Sequence, residues 1–296
     1  MLCDPVRRRG HNSRREEPLV SDPLDSGATS AGIYDYLLNG GYHTELDRRA
    51  AEEMLRLFPE GAALARQNRS FVRRAVRFLG AHSDVRQFVD IGSGYPTGGH
   101  VHEIAEKDPL VNRRPVHVVY IDNDLSVVEF GRSLLAEYGT ADRHTYICGD
   151  FRDPDLWKQV LATGRIDPDK PVCLLAASML HFIEDAWTPL EAIKRRLCAG
   201  SYLLVSHVTD AEGAASETDP QDRSAVDVYT QSTAHYVGVR SREQIERFFH
   251  GWQMIEPGLV PLPEWRPEMS EPVGEPADHS RLVGGLARKV RIGGCH

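Results

Sequence analysis

Three apolar runs of the sequence each have an acidic residue at or just after their end, in an order that suits one ligand carrying positive charge. Asp90 comes directly before the glycine-rich segment 91–94, whereas Asp122 and Asp150 follow the ends of the next two runs. Glycine lets a ligand approach the backbone closely, and carboxylates accept hydrogen bonds from hydroxyl, amino and ammonium groups. The three acids therefore predict a binding site for a polar, partly cationic ligand.

The glycine-rich segment does not match the known phosphate-binding patterns. A P-loop requires a Gly-Lys-Ser/Thr sequence, which is absent here. A dinucleotide site requires GxGxxG and an acid about 20 residues further on, but the third glycine is displaced to Gly98, and Asp122 lies 28 residues after Gly94. A nicotinamide-dependent oxidoreductase is therefore disfavoured. S-adenosylmethionine fits better, because it has no phosphate and carries an ammonium and a sulfonium group against one carboxylate.

Each carboxylate can be given a partner on this cofactor. Asp90, beside the glycines, suits the cationic methionine end, and Asp122 can accept both ribose hydroxyl groups. Asp150 can accept from the adenine amino group, with Phe151 beside the ring. The alternative is that Asp122 and Asp150 only cap the helices that follow them.

The elements that position these acids follow from the apolar pattern. Continuous apolar runs indicate strands buried on both faces, and their alternation with helical segments indicates βαβ units and a parallel sheet. Segments 254–260 and 281–289 would form an antiparallel pair at one edge. A helix from Ser241 to Phe249 precedes them, with Ser241 as its N-cap and Gln244 completing a capping box. The five predicted parallel strands are Gln87–Ile91, His117–Ile121, Thr145–Cys148, Val172–Ala176 and Tyr202–Ser206.

The N-terminal part of the chain follows a different pattern. Residues 1–27 are rich in Arg, Glu, Pro, Asp and Ser and are predicted to form a disordered tail. Residues 28–80 are predicted to form an all-helical cap, in which Gly40-Gly41 ends the first helix. Residues 81–296 would then form the cofactor-binding domain. The predicted cap helices are 33–38, 45–58 and 62–79.

Several of these segments together resemble a known family, over about residues 29–290. They are similar to actinobacterial S-adenosylmethionine-dependent methyltransferases that were long carried as a domain of unknown function. This resemblance implies a Rossmann-like α/β fold of class I methyltransferases, with a central, mostly parallel sheet, an antiparallel edge strand and a helical N-terminal cap. It does not name the methyl acceptor. The matching segments are 33–41, 65–71, 88–97, 119–124, 180–182, 206–207, 240–243, 257–260 and 265–267.

Two histidines are candidates for the chemical step. His181 follows the fourth strand and His207 follows the fifth, and in this fold both positions face the methyl group that is transferred. Either could act as a general base, because imidazole titrates near neutral pH. Alternatively, each is a hydrogen-bonded structural histidine. Methyl transfer depends largely on alignment, so no base need take part.

The predicted cofactor site also draws on the cap. Tyr34, Tyr36 and Asn39 could close over the cofactor. Asn68 and Arg69 could bind its carboxylate, since a guanidinium pairs well with that group. The alternative for all five is helix packing or surface charge. The residues predicted to bind the cofactor are Tyr34, Asn39, Asn68, Arg69, Asp90, Gly92, Ser93, Gly94, Asp122, Asn123, Gly149, Asp150, Phe151 and His181.

Other side chains receive weaker assignments. The aromatic residues Tyr229, Tyr236 and Trp265 either line a substrate pocket or anchor the core, and the run 194–196 (Lys-Arg-Arg) is predicted to be a solvated helix face. His100 and His102 point in different directions on a helix, and no acidic or cysteine ligands accompany them. We therefore predict no metal site.

Composition limits the partners and the compartment. The net charge is −8 with no basic excess, which disfavours a nucleic-acid substrate. Five scattered cysteines without a CxxC pair predict reduced thiols in a cytoplasm, and the apolar runs are too short to cross a membrane. We therefore predict a cytoplasmic methyltransferase that acts on a small-molecule acceptor. The alternative is a protein that binds or senses S-adenosylmethionine without catalysis. The oligomeric state is left open.

Overall fold

The computed structural model describes residues 27–107, 115–209, 230, 236–268 and 281–291. The predicted tail lies outside this range except for Gly27, and so does Tyr229. No helix in the described ranges is long and apolar enough to span a bilayer. The helices are α1 (Ser30–Leu37), α2 (Glu45–Leu57), α3 (Gly61–His82), α4 (Val101–Lys107), α5 (Leu125–Glu137), α6 (Leu156–Ala162), α7 (Trp187–Arg196) and α8 (Arg242–Glu246). The strands are β1 (Gln87–Ile91), β2 (His117–Asp122), β3 (His144–Cys148), β4 (Val172–Ala177), β5 (Tyr202–Val208), β6 (Gln253–Met254), β7 (Val260–Pro261) and β8 (Leu282–Arg288).

All eight strands form one mixed sheet in the order β3-β2-β1-β4-β5-β8-β6, with β7 also paired to β8. Strands β1 to β5 are parallel, and β8 runs antiparallel between β5 and the two short strands. The predicted parallel sheet with an antiparallel edge is therefore confirmed, although segment 254–260 forms two short strands with a turn between them. The strand order reverses between β1 and β4. Ligands bind beyond the carboxyl ends of strands at such a switch point.

Alternating side chains of the strands face two separate cores. Val89 and Ile91 of β1 pack with helices α6 and α7, whereas Phe88 points to the opposite face and packs with α3, α4 and α5. This alternation is the two-residue period of a strand, and both faces are apolar because helices cover both. The predicted capping box at Ser241 and Gln244 is present at the start of α8.

The cap contains its own small apolar cluster, formed by α1, α2 and the start of α3. Helix α1 ends in a Schellman turn. The N–H of Gly40 donates to the carbonyl of Asp35 (2.9 Å), and that of Asn39 donates to Tyr36 (2.9 Å). Asn39 itself takes the left-handed conformation (φ 56°) that such a turn requires. From the sequence we predicted that the glycine pair ends the helix and that Asn39 binds the cofactor. The structure instead gives this exposed asparagine the capping role.

Helix α3 belongs to both the cap and the sheet layer, so the predicted boundary at residue 80 cuts through continuous packing. Its first turns contact α1 through Ala65, while Phe71 packs edge-on against the ring of Trp265 (5.3 Å between centroids). Arg74 donates to the carbonyls of Trp265 (2.8 Å) and Leu262 (2.6 Å). Trp265 is fully buried in this contact. Of the two roles that the sequence left open for Trp265, the structure therefore supports the core anchor and not the lining of a substrate pocket.

The predicted solvated face at 194–196 is also only partly correct. Lys194 is buried and donates to the carbonyls of Phe248 (2.8 Å) and His250 (3.0 Å), and it forms an ion pair with Glu191. The two arginines that follow it are exposed. A lysine in a helical charge run gives no local sign that distant carbonyl groups satisfy its ammonium group.

The double role of α3 predicts how a change at Phe71 affects stability. Phe71→Ala should lower the free energy of unfolding of the whole chain by about 3–5 kcal/mol, since it leaves a cavity beside Trp265. Chemical denaturation monitored by circular dichroism measures this. Tyr138→Ala, at a side chain that is 58% exposed, is the control and should change stability by less than about 0.5 kcal/mol. A separate early transition, with the main one unchanged, would instead show a cap that unfolds independently.

Candidate cofactor site and active site

The loop after β1 has a backbone that glycine alone adopts easily. Gly92 and Gly94 have φ angles of 67° and 64°, and the N–H groups of Gly92 and Ser93 donate to the carbonyl of Ile121 (2.8 and 3.0 Å). A Cβ on Gly92 would lie 2.3 Å from Cγ of Met179, whereas one on Gly94 would meet nothing within 4 Å. Gly92 therefore allows close packing against the loop after β4. Gly94 borders open space that a ligand can occupy.

The carboxylate of Asp122 ties the end of β2 to this loop. One oxygen accepts the N–H of Gly94 (2.8 Å) and the other accepts the N–H of Asp124 (3.0 Å). Helix α5 is capped by Asp124 itself, so the alternative that Asp122 caps that helix is wrong. Burial raises the pKa of Asp122 above its ordinary value. Its neighbours in space are the exposed Asn123 and Gly149, whose N–H donates to the carbonyl of Asp122 (2.9 Å).

Asp150 lies in the turn after β3 and is half-buried. Its carboxylate accepts the backbone N–H of Arg152 (2.8 Å) and pairs with the guanidinium of the same residue, which lowers the pKa of Asp150. Helix α6 begins later, with Asp155 at its N-cap position, so Asp150 is not a helix cap either. The ring of Phe151 is buried in the core. The ring therefore has a packing role, and its place beside adenine stays a prediction.

Asp90 brings an unusual buried carboxyl group to the start of the glycine loop. Burial raises its pKa to about 7, against the opposing effect of the Arg69 guanidinium, and nearby Asp122 raises it further. Arg69 lies over the ring of Tyr34 (5.2 Å). Its Nε and the hydroxyl of Ser93 are buried without a hydrogen-bond partner in the described part of the chain. An acidic side chain, Asp90, and a basic one, Arg69, thus lie beside the loop and can bind a ligand.

The loop after β4 brings His181 against His207, with their rings edge to face at 5.4 Å. Nε2 of His207 lies 2.7 Å from a guanidinium nitrogen of Arg240, and Nδ1 lies 2.6 Å from the carbonyl of Val208. The guanidinium can only donate, so His207 is neutral with its proton on Nδ1. Burial lowers its pKa to about 4. The predicted base role of His207 is therefore wrong, because both of its nitrogens are engaged.

Arg240 holds the segment that carries His181. Its buried guanidinium donates to the carbonyls of Leu180 (2.9 Å), Ile183 (2.6 Å) and Glu184 (2.9 Å) and stacks on the ring of Trp187 (4.7 Å). The local sequence gives no sign of this role, because the acceptors lie 56 to 60 residues away. His181 is buried as well, and Nδ1 has no partner among the described residues. Burial, with His207 and Arg240 nearby, keeps its pKa well below the ordinary range.

Asn68 is used within the protein. Its amide nitrogen donates to the hydroxyl of Tyr34 (2.8 Å), and its amide oxygen accepts from the hydroxyl of Ser206 (2.6 Å). The side chain is almost completely buried. The sequence placed Asn68 on the cofactor carboxylate, but these bonds join the cap to β5. Ser206 was predicted only as the end of a strand within a matching segment, because nothing local marks a strand serine as the partner of a helix far away in sequence.

The two histidines after the glycine loop lie in a buried cluster of polar and aromatic residues on the α4 face. Nε2 of His100 contacts the carbonyl of Tyr95 (2.8 Å), and Nδ1 of His102 contacts the hydroxyl of Tyr120 (2.6 Å). The ring of His102 also stacks on that of His144 (5.0 Å). Burial lowers the pKa of His100 to about 3. No metal-binding group of three ligands occurs within the described ranges.

The buried carboxyl of Asp90 makes stability depend on pH. Since the pKa of Asp90 is about 7 in the folded chain and 3.8 is the ordinary value for an aspartate, the folded state retains a proton that the unfolded state loses. The free energy of unfolding should therefore fall as pH rises from about 4 to about 7. Asp90→Asn removes this effect, so its stability relative to wild type should rise between pH 4 and pH 8 by up to about 4 kcal/mol. Urea unfolding at both pH values measures the difference.

The exposed Asp169 provides the control for this comparison. Asp169→Asn should keep a constant stability difference from wild type across the same pH range. If Asp90→Asn behaved in the same way, Asp90 would be ionised throughout, held by Arg69.

The chain is similar to known proteins in both sequence and fold. The family model described as S-adenosyl methyltransferase matches residues 20–290. A candidate methyltransferase of Thermobifida fusca is 30% identical, over 90% of this chain and 96% of its own, with a TM-score of 0.78. A DUF574 family protein from Streptomyces avermitilis is 31% identical, over 89% and 98% of the two chains, with a TM-score of 0.78.

A more distant structure shares the fold alone. The plantazolicin methyltransferase, solved with S-adenosylhomocysteine, is 11% identical, over 88% of this chain and 95% of its own, with a TM-score of 0.50. No protein of curated function matches the chain. Because the family model covers most of the sequence, this protein belongs to the S-adenosyl methyltransferase family, with the class I fold and S-adenosylmethionine as its cofactor.

Proposed function

We propose that this methyltransferase transfers the methyl group of S-adenosylmethionine to a small-molecule acceptor and releases S-adenosylhomocysteine. The observation that carries the proposal is the glycine loop at the switch point of the sheet, bonded to Asp122, with acidic residues at or just after the ends of β1, β2 and β3. The acceptor class rests on the net charge of −8, which offers nucleic acid little attraction, and on the cap beside the site.

The residues around the glycine loop fit the methionine end of the cofactor. The α-ammonium group needs an anion, and the buried carboxyl of Asp90 can supply one when it loses its proton. The α-carboxylate needs a cation, and Arg69 offers a guanidinium whose buried Nε is otherwise unpartnered within the described residues. The hydroxyl of Ser93 is a further free polar group there. A zwitterion would satisfy these groups together, which favours an amino-acid moiety at this position.

The nucleoside end has matching groups on β2 and β3. Asp122 is fixed by its bonds to the backbone at residues 94 and 124, and each carboxylate oxygen has a second lone pair for a ribose hydroxyl. Asn123 and Gly149 lie beside it, and Asp150 can accept from the adenine amino group if it exchanges its contact with Arg152. Gly94 provides the open space beside the loop.

In this proposal the protein acts mainly by alignment. The bound cofactor supplies an electrophilic methyl group on its sulfonium. Gly94, Asp122 and Arg69 hold the donor in place, while the loop after β4 presents His181 to the acceptor. Because burial keeps His181 neutral, its unprotonated ring nitrogen can accept a hydrogen bond from a hydroxyl or amino acceptor and orient the lone pair of that acceptor. The cap excludes water from the reacting groups.

Two measurements, made one after the other, test the proposal. Isothermal titration calorimetry should show stoichiometric binding of S-adenosylhomocysteine and no binding of NAD. A screen of small molecules with S-adenosylmethionine should then give products heavier by one methyl group, together with S-adenosylhomocysteine. Binding without turnover of any acceptor would favour a sensing role. Methylation of nucleic acid instead would overturn the proposed acceptor class.

The ribose assignment makes a prediction for Asp122. Asp122→Ala should weaken binding of S-adenosylhomocysteine at least tenfold, because hydrogen bonds to a charged group contribute about 1.5–3 kcal/mol each. Titration calorimetry measures the change in Kd. The matched control is Asp124→Asn, which keeps a good helix cap two residues away and should bind normally. An unchanged Kd for Asp122→Ala would sink the assignment.

The glycine loop makes a second prediction. Gly94→Val should fold, as judged by circular dichroism, yet fail to bind S-adenosylhomocysteine, because the side chain occupies the open space and opposes a positive φ. Gly139→Val is a close control: Gly139 has φ 65° and also has open space around its Cβ position, but it follows α5 away from the site. Both variants should lose similar stability, and only Gly94→Val should lose binding. Normal binding by Gly94→Val would mean that the cofactor lies elsewhere.

A further inference from the structure

A continuous chain of hydrogen bonds runs from the cap to the turn after β4. Asn68 donates to the hydroxyl of Tyr34 in α1 (2.8 Å). The hydroxyl of Ser206 in β5 donates to the amide oxygen of Asn68 (2.6 Å) and accepts the backbone N–H of Ser178 (2.9 Å). Asn68 and Ser206 are buried, so water cannot readily replace a missing partner. One amide group therefore connects three elements that are far apart in sequence.

The direction of each bond in this chain is determined by its neighbours. The hydroxyl of Tyr34 donates to the carbonyl of Ala65 (3.2 Å), so it must accept from Asn68 and therefore faces the amide nitrogen. The hydroxyl of Ser206 accepts the N–H of Ser178, and the acceptor nearest to its own proton is the amide oxygen (2.6 Å), since the hydroxyl of Ser178 lies further away (3.4 Å). These requirements agree with one orientation of the amide and disfavour the flipped one. Loss of the hydroxyl at either end would remove that constraint.

The turn after β4, where this chain of hydrogen bonds reaches the sheet, is strained. Ser178 has φ 51°, in the left-handed region where a residue other than glycine persists only when its surroundings hold it. Its N–H bonds both the carbonyl (3.1 Å) and the hydroxyl of Ser206. The next residue, Met179, lies against Gly92, and His181 follows. The turn thus adjoins the cofactor loop and also places the imidazole.

We propose that Asn68 is a positioning residue, which couples the seating of the cap over the cofactor to the turn 178–181. The inference rests on the proposed function, because it takes the cofactor to lie beside Tyr34 and Arg69. Cofactor binding under α1 holds Tyr34 in place, Tyr34 fixes the amide of Asn68, and Asn68 fixes Ser206 and the strained turn. His181 is thereby set in position before the acceptor arrives.

The test removes one hydroxyl at each end of the chain. Tyr34→Phe, Ser206→Ala and the double variant are compared with wild type by hydrogen exchange of residues 178–182, with and without S-adenosylhomocysteine, and by calorimetric Kd. Tyr36→Phe is the matched control, since Tyr36 lies in the same helix and its hydroxyl donates to Glu52 (3.2 Å), which is not part of this chain of hydrogen bonds.

In unliganded protein, Tyr34→Phe should speed exchange at Ser178 several-fold, although the two residues lie on separate elements, while Tyr36→Phe should leave it unchanged. Each variant should raise the Kd for S-adenosylhomocysteine by some factor. The factor for the double variant should be smaller, by about threefold or more, than the product of the two single-variant factors, because both hydroxyls act through one amide. Additive losses, with exchange at 178–182 the same in Tyr34→Phe and Tyr36→Phe, would overturn the coupling.

Failure of the proposed function gives a different result. Wild-type protein would then bind no S-adenosylhomocysteine, while the unliganded exchange at Ser178 would still respond to Tyr34→Phe if the chain couples the two ends. An unchanged exchange rate in that case would reject the coupling as well. A purely local role of Tyr34 in helix packing would change exchange in residues 30–38 and leave 178–182 as in wild type.

Discussion

The hydrogen bond from the N–H of Gly94 to the carboxylate of Asp122 is the contact on which the site depends most. It joins the ends of two neighbouring strands, holds a loop with two left-handed glycines and leaves lone pairs of the carboxylate for a ligand. Burial of an acid is costly, and two backbone N–H groups partly offset that cost here. The same contact therefore shapes the loop and prepares an anionic group for binding.

The cap extends this organisation through one shared helix. α3 packs into the sheet layer through Phe71 and Arg74 and also reaches the cap through Ala65 and Asn68. Because the C-terminal part of α3 is fixed in the core, its N-terminal part has a defined position. Arg69 is therefore held beside the glycine loop by a rigid helix. The cap and the cofactor domain are therefore parts of one packed body in the described residues.

The sequence allowed the sheet and its strand-end acids to be predicted, because continuous apolar runs mark buried strands and the residue after each run must lie at the same edge. Asp122 and Gly94 followed from that pattern alone. Arg240, Ser206 and the actual partners of Asn68 did not, since their bonds join residues between 28 and 138 positions apart. Local pattern reports burial and turns, whereas such pairings exist only once the chain has folded.

A crystal structure with S-adenosylhomocysteine would test the central claim most directly, through the contacts of the Asp122 carboxylate. We expect both ribose hydroxyls within about 2.5–3.2 Å of its oxygens, with the ligand chain passing over Gly94 and its carboxylate near Arg69. A ligand seated elsewhere, or one whose ribose lies beyond hydrogen-bond distance of Asp122 while the bond between Asp122 and Gly94 is intact, would contradict the account.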